Sequence, residues 1–233
     1  MRATDNSAAA ARIAYAEVKS RIIELVYPPG TKLSEARLVE ELGLGRSPIR
    51  TAFSRLQAEG WLAVSPQSGS YVRALSEQEI REIFDTRLLL ETHVTRLAAK
   101  NMDDAALRRL RTAFRRLAPQ GRSLGDDVFD DFNELDSAFH SAIYEAAGNG
   151  LMTAILMNLL EKVRWIKKSF PSTPKRMKIS FGEIERVLES LEKRDAEKAA
   201  QRMREHIGNA ADFARQYRKK TARTLRSSTI STS

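Results

Sequence analysis

The sequence predicts a mostly α-helical protein in two parts: a small domain of three helices and a β-hairpin, then an all-α bundle of six helices. Three observations carry this. Apolar residues recur three and four apart through most of the chain, the spacing of one helix face. Only "WLAV" and "SYVR", either side of "SPQSG", read as short strands, and they are close enough to form a hairpin. "SEQE" at 76–79 is a capping box, Glu79 reaching back to Ser76, and no convincing strand follows it.

Each element follows from its ends and its apolar face. The first helix is expected from about Ala8 to Val26, with Tyr15, Val18, Ile22, Leu25 and Val26 on one side and "YPPG" as the stop. "SEARLVEELG" opens on Ser34 as an N-cap and closes on Gly43, which can take the left-handed conformation. After Leu44-Gly45-Arg46, Ser47 is expected to cap a third helix with Pro48 at its first position, where a missing N–H costs nothing. Gly60 ends it, and the hairpin completes a domain of residues 8–75. Helices are then expected near 77–100, 103–118, 126–147, 150–169, 180–193 and 195–218, with loops at 119–127 and 169–175. Residues 76–217 form the second domain. "TARTLRSSTISTS" shows no periodicity, so 218–233 reads as a disordered basic tail.

Composition bounds the function. With 42% hydrophobic and 30% charged residues among 233, a soluble globular protein with a real core is expected. There is no cysteine, which excludes disulfides and thiolate metal sites and suits a reducing cytosol. No apolar run approaches the roughly 18 residues of a membrane span, and the first residues are too polar for a signal peptide. A cytoplasmic protein without a membrane partner is expected. The net charge of +9 is uneven: residues 1–75 carry +3, residues 213–233 hold six basic residues and no acid, and the middle is neutral. Nucleic acid is the partner that such basic ends suit.

The helix after Gly45 sharpens this. Ile49, Ala52, Phe53 and Leu56 make an inward stripe; Ser47, Arg50, Thr51 and Ser54 make the opposite one, with Arg46 leaning to the same side. The helix dipole disfavours cations at this end, so the two arginines call for an external anion. A helix of this kind, after a short helix and a tight glycine turn, is the second element of a helix-turn-helix. Its first residues meet base edges and phosphates, arginine reading guanine bidentately. The hairpin is then the wing, with Gln67 and Ser68 at its tip near the sugar-phosphate backbone. Ion pairs with Glu40, Glu41 or Glu59 would account for one arginine, but not for the whole constellation.

The stretch "PPGTKLSEARLVEELGLGRSPIRTAFSRLQAEGWLAVSPQSGSYV" (28–72) resembles the winged helix-turn-helix of the GntR family of bacterial transcription regulators. The resemblance implies that Arg46, Ser47 and Arg50 contact double-stranded operator DNA. A further family arginine, after the glutamate of "LSE", is Ala36 here, with Arg37 one step on; the usual Ser or Thr before Arg46 is Gly45. "RLLLETHVTRLAA", "DSAFHSAIYEAAGN" and "EKRDAEKAAQRMREHI" resemble the helical effector-binding (FCD) domain of the FadR-type branch.

In that second domain, Asp136 and His140 sit one turn apart beside the stripe Phe132, Leu135, Phe139 and Ile143. His206 follows Met203 by three and precedes Ala210 by four, again facing inwards. Asp, His and His suit a divalent transition metal such as zinc or nickel; an Asp136–His140 hydrogen bond in a metal-free polar pocket is the alternative. The resemblance places a third histidine ligand where Ile184 stands. Arg87, among Ile83, Leu88, Leu90 and Val94, needs an anion. That anion is either an effector carboxylate, as the resemblance implies, or Glu91 one turn on. Arg164, Lys167 and Lys168 read as a solvated face, and His93 as surface or packed. Taken together, the resemblance implies a homodimeric regulator of a palindromic operator, modulated by a small organic acid bound through Arg87, Asp136, His140 and His206. The rival, a metal-dependent hydrolase or isomerase built on Asp136, His140 and His206, lacks a placed base or nucleophile.

Overall fold

The computed structural model describes residues 2–65, 68–117 and 126–230, with side chains described for 7–65, 68–117 and 129–217. The chain divides into two compact units, Met1–Ser76 and Glu77–Ser233.

The first unit runs α1 (Arg2–Ile23), β1 (Lys32–Leu33), α2 (Glu35–Leu42), α3 (Arg46–Ala58), β2 (Leu62–Ser65) and β3 (Gly69–Val72). The strands form one antiparallel sheet in the order β1–β3–β2, with Leu62 opposite Val72 and Lys32 opposite Tyr71. The core takes Ala14, Val18 and Ile22 from α1, Leu38 from α2, Ile49, Ala52, Phe53 and Leu56 from α3, and Trp61. The caps of α2 are the expected ones: the Ser34 hydroxyl accepts from the Arg37 N–H, and Gly43 takes φ 64°.

Three local readings are corrected. Helix α1 starts at Arg2, ahead of the expected Ala8, and stops at Ile23, because Leu25 turns to φ 57°, so Val26 is exposed rather than on the inner face. Helix α3 begins at Arg46 with extended Gly45 as its N-cap, so Ser47 lies inside the first turn and caps nothing. Pro48 still costs no hydrogen bond there, since first-turn N–H groups have no intrahelical partner. Strand β1, only two residues long, went unread because no alternation can be seen over so short a run.

The second unit consists, among the described residues, of α4 (Glu77–Asn101), α5 (Asp104–Leu117), α6 (Asp126–Ala146), α7 (Gly150–Ser169), α8 (Pro174–Glu192) and α9 (Ala196–Ile230). Helix α4 packs along α9 and also touches α6, α7 and α8, while α8 lies against α9. Ala98 and Ala99 on α4, and Ala199 and Ala200 on α9, are fully buried, the small side chains that close packing of two helices requires. Phe114, Phe139 and Phe181 join α5, α6 and α8, with ring centroids 5.8 and 5.3 Å apart around Phe114.

Two boundaries differ from expectation. Helix α8 starts six residues early: the Thr173 hydroxyl accepts from the Arg176 N–H and Pro174 stands in the first turn. Helix α9 continues to Ile230, where a disordered tail was expected. An existing helix extends without a new nucleation cost, and no glycine or proline follows Gly208 to stop it. Among the described residues, no helix is long and apolar enough to cross a membrane.

Candidate nucleic-acid surface and buried polar pocket

On α3 the two faces separate as the spacing demands. Ile49, Ala52, Phe53 and Leu56 are buried, while Arg46, Ser47, Arg50, Thr51 and Ser54 are exposed. The hydroxyls of Thr51 and Ser54 donate back to the carbonyls of Ser47 and Arg50 at 3.1 Å, which keeps their lone pairs turned outwards. Arg50 reaches Glu35 at 3.5 Å, a solvent-screened pair worth little. Among the described residues no acid pairs with Arg46. Arg37 lies along α2 with its Nε 2.5 Å from Glu41, which also holds Arg21 at 2.9 Å. Ser68 is exposed at the hairpin and its hydroxyl meets Tyr71 at 2.6 Å; Gln67 lies outside the described residues. Lys32, on the unread strand, runs its stem beneath Gly69 and adds a cation to this hairpin.

The second unit holds a polar cluster in its interior. Asp136 and His140 on α6 and His206 on α9 are all at least 97% buried, and one ligand atom from each lies within 4.8 Å of the others. His140 Nε2 stands 3.9 Å from Asp136 Oδ2, and His206 Nε2 stands 3.8 Å from Asp136 Oδ1. The two imidazoles stack with centroids 5.4 Å apart. Their far nitrogens meet two carboxylates, Glu91, expected only as a partner of Arg87, and Glu183, which no motif had marked: His140 Nδ1 is 2.7 Å from Glu91 and His206 Nδ1 is 2.9 Å from Glu183. Both carboxylates are braced in turn. Arg87 Nε donates to Glu91 at 2.5 Å, and Arg176 grips Glu183 through two bonds of 3.0 Å, with Asn209 adding a third at 2.8 Å.

Of its two expected anions, Arg87 takes Glu91. It also lines the cavity. The cavity encloses about 510 Å³, part of it open to solvent. Its polar wall includes Arg87, Asp136, His140, Lys167, Arg176 and His206; Phe84, Ile166, Phe170 and Phe213 give an apolar wall opposite in character. Lys167 is a correction. It is not on a solvated face but bonds Asp136 with its ammonium. Arg176 escaped notice because it falls between the loop expected at 169–175 and the helix expected from 180, whereas the helix starts at Pro174. Ile184 is buried, one turn beyond the cavity-lining Ser180 on the same helix.

Electrostatics follow from these pairs. Burial pushes the Glu91 carboxyl up, but Arg87 and His140 outweigh it and hold it down at about 2. Burial likewise opposes ionisation of Glu183, yet His206 and Arg176 bring it to about 2. Asp136 is held well below the usual range by Lys167 and the two histidines, against its own burial. His206 is lowered, chiefly by burial.

The donor set fits a divalent metal. With Nδ1 of His206 bonded to Glu183, its Nε2 is turned towards Asp136, and a carboxylate holding the far nitrogen is what orients a histidine that binds metal. His140 Nε2 is fully buried without a hydrogen-bond partner, although it faces a carboxylate oxygen. A lone pair facing a carboxylate is repelled unless a proton or a metal cation stands between them. Asp136, His140 and His206 are the residues that would hold the metal.

Two family descriptions match the chain, the gntR family of bacterial regulatory proteins over residues 10–72 and the FCD domain over 82–209. The chain is 28% identical over 211 residues to the HTH-type transcriptional repressor RspR of Escherichia coli strain K12, covering 89% of this chain and 90% of that one. It is 32% identical over 180 residues to the gluconate operon transcriptional repressor of Bacillus licheniformis, covering 76% and 70%. Among solved structures, E. coli McbR/YncC superposes with a TM-score of 0.74 at 22% identity over 89% of this chain and 98% of that one, a likeness of fold. A hydrolase or isomerase has no place in this: the residues of its supposed centre belong to an FCD domain that follows a gntR-family helix-turn-helix along the chain. The chain belongs to the gntR family of bacterial regulatory proteins, and is a transcriptional regulator with a C-terminal FCD domain, not an enzyme.

Proposed function

We propose that the protein is a cytoplasmic, homodimeric repressor or activator whose grip on a palindromic operator is set by a small organic acid in the FCD cavity. Arg46, Ser47, Arg50 and Thr51 enter the major groove, and Arg37, Gln67 and Ser68 meet the backbone beside it. The observation that carries the effector reading is the cavity, where an amphipathic wall sits over buried cations. The Arg87 Nη groups, beside the Nε bonded to Glu91, suit a two-point contact with a carboxylate, and Asp136, His140 and His206 hold zinc or nickel beneath it. A bound metal supplies a fixed positive charge for the acid's carboxylate. The acid then shifts the dimer between arrangements of its winged domains. Operator affinity of the purified protein, titrated with a panel of carboxylic acids, tests this; affinity that no acid changes would sink it.

The second copy has a surface available. Leu89 on α4 is 70% exposed, and Leu151 and Ile155 on α7 are 74% and 41% exposed, on two helices that pack together. Leu89→Glu with Ile155→Glu is expected to give a monomer by light scattering and to cost most of the affinity for a full operator. A variant that stays dimeric places the interface elsewhere.

Ile184→His is expected to raise the affinity for Ni²⁺ by about ten-fold or more, adding an imidazole on the helix face that already lines the cavity. Calorimetric titration of parent and variant decides it. Tight stoichiometric binding by the parent with no gain in the variant would mean the site is complete without residue 184.

A further inference from the structure

We propose that Lys167 is the built-in counter-ion of Asp136, and that a divalent metal enters this site by displacing the lysine ammonium into the cavity. The inference rests on the metal-holding reading above and adds an exchange to it. Its ground is a conflict over one atom. Asp136 Oδ2 is the oxygen that Lys167 bonds, and also the oxygen that lies 3.9 Å from the partnerless His140 Nε2. A metal bridging His140 and Asp136 needs that oxygen, and two cations crowded onto one buried carboxylate repel each other.

The remaining groups decide which way the site gives. Glu91 is committed to Arg87 and His140, and Glu183 to Arg176, His206 and Asn209, so neither offers the lysine another berth. The cavity's cations and carboxylates are matched one to one: Arg87 with Glu91, Lys167 with Asp136, Arg176 with Glu183. Arg87 and Arg176 are at least 92% buried and locked, whereas the Lys167 side chain is 24% exposed. A flexible four-carbon stem at the cavity's edge lets the ammonium withdraw while its methylenes stay packed. Once displaced, it stands free beside Arg176, Ser172 and Ser180 and becomes a donor for an entering carboxylate. Metal binding and anion binding therefore reinforce each other.

The test uses the full chain, stripped of metal and titrated with Ni²⁺ alone in a calorimeter. Lys167→Met is expected to bind Ni²⁺ about ten-fold tighter than the parent or better, because no ammonium competes. Lys168→Met, which removes an ammonium paired with the solvent-facing Asp130, is expected to match the parent. In the parent itself, an amine-reactive ester followed by mass spectrometry is expected to label Lys167 faster when Ni²⁺ is present and Lys168 at an unchanged rate. This second measurement stands even if Lys167→Met folds poorly. Equal Ni²⁺ affinity in parent and Lys167→Met, or Lys167 labelling that ignores bound Ni²⁺, overturns the exchange and leaves the metal site standing. If neither protein binds Ni²⁺, the metal reading itself fails and the exchange with it.

Discussion

Glu91→Leu is expected to destabilise the helical unit by about 3–5 kcal/mol, the cost of leaving a buried charge without its partner. Arg87 is 2% exposed and its Nε lies 2.5 Å from Glu91, which is wholly buried. Leucine fills similar space but leaves the guanidinium facing hydrocarbon and removes the carboxylate beside His140. Urea unfolding at neutral pH measures the loss. The companion Arg87→Met/Glu91→Leu removes both charges and is expected to recover most of it. A single variant within about 1 kcal/mol of the parent would mean the pair is solvated in solution.

The same pair has an acid signature. Glu91 is held at about 2, below the ordinary glutamate value, so its stabilisation is complete above that ordinary value and is lost as pH falls towards 2. Within that window the unfolded chain binds a proton at residue 91 and the native protein does not. Glu91→Leu is therefore expected to lower proton uptake on unfolding by about one. Glu183, also held at about 2, continues to contribute. Unchanged uptake would show that Glu91 titrates normally in the folded protein.

Arg46→Ala and Arg50→Ala are each expected to weaken operator binding by about 1–3 kcal/mol, if each makes a bidentate base contact. Neither should change stability. Both side chains are exposed, Arg46 has no acid partner among the described residues, and the Arg50–Glu35 contact is screened. Affinity for an unrelated duplex should fall far less, because phosphate contacts from the other basic residues remain. The measurement is binding to operator and scrambled DNA at one fixed salt concentration, beside a thermal melt of each variant. Both variants binding the operator as the parent does would mean that α3 is not the reading helix.

Much of this molecule is legible along the chain. The inner stripe of α3, the caps of α2 and the five helices of the second unit that start near their expected positions are local facts. They depend on side chains within one or two turns and on glycine and proline acting in place. Even the inward aim of Asp136, His140 and His206 is a matter of spacing on two helices. Misreadings of local structure came where signals compete. Thr173-Pro174 was placed in a loop but starts a helix, and Gly45 took the cap position that Ser47 was expected to hold.

By itself, the sequence determined the two-part mostly helical plan, the exposed arginines of α3 and the convergence of an acid and two histidines. Only the tertiary structure decided who partners whom. Lys167 meets Asp136 across 31 residues, His206 meets Glu183 across 23, and Arg176 reaches the same glutamate from a first helical turn that the spacing had not marked. The reason is physical. Helix formation is governed by neighbours three and four residues apart, whereas a charge's partner is whatever the packing of separate helices brings within about 4 Å before water is excluded. Lys167, Lys168 and Arg164 look alike on paper; with α7 packed against α6, Lys167 meets the buried Asp136 and Lys168 the exposed Asp130.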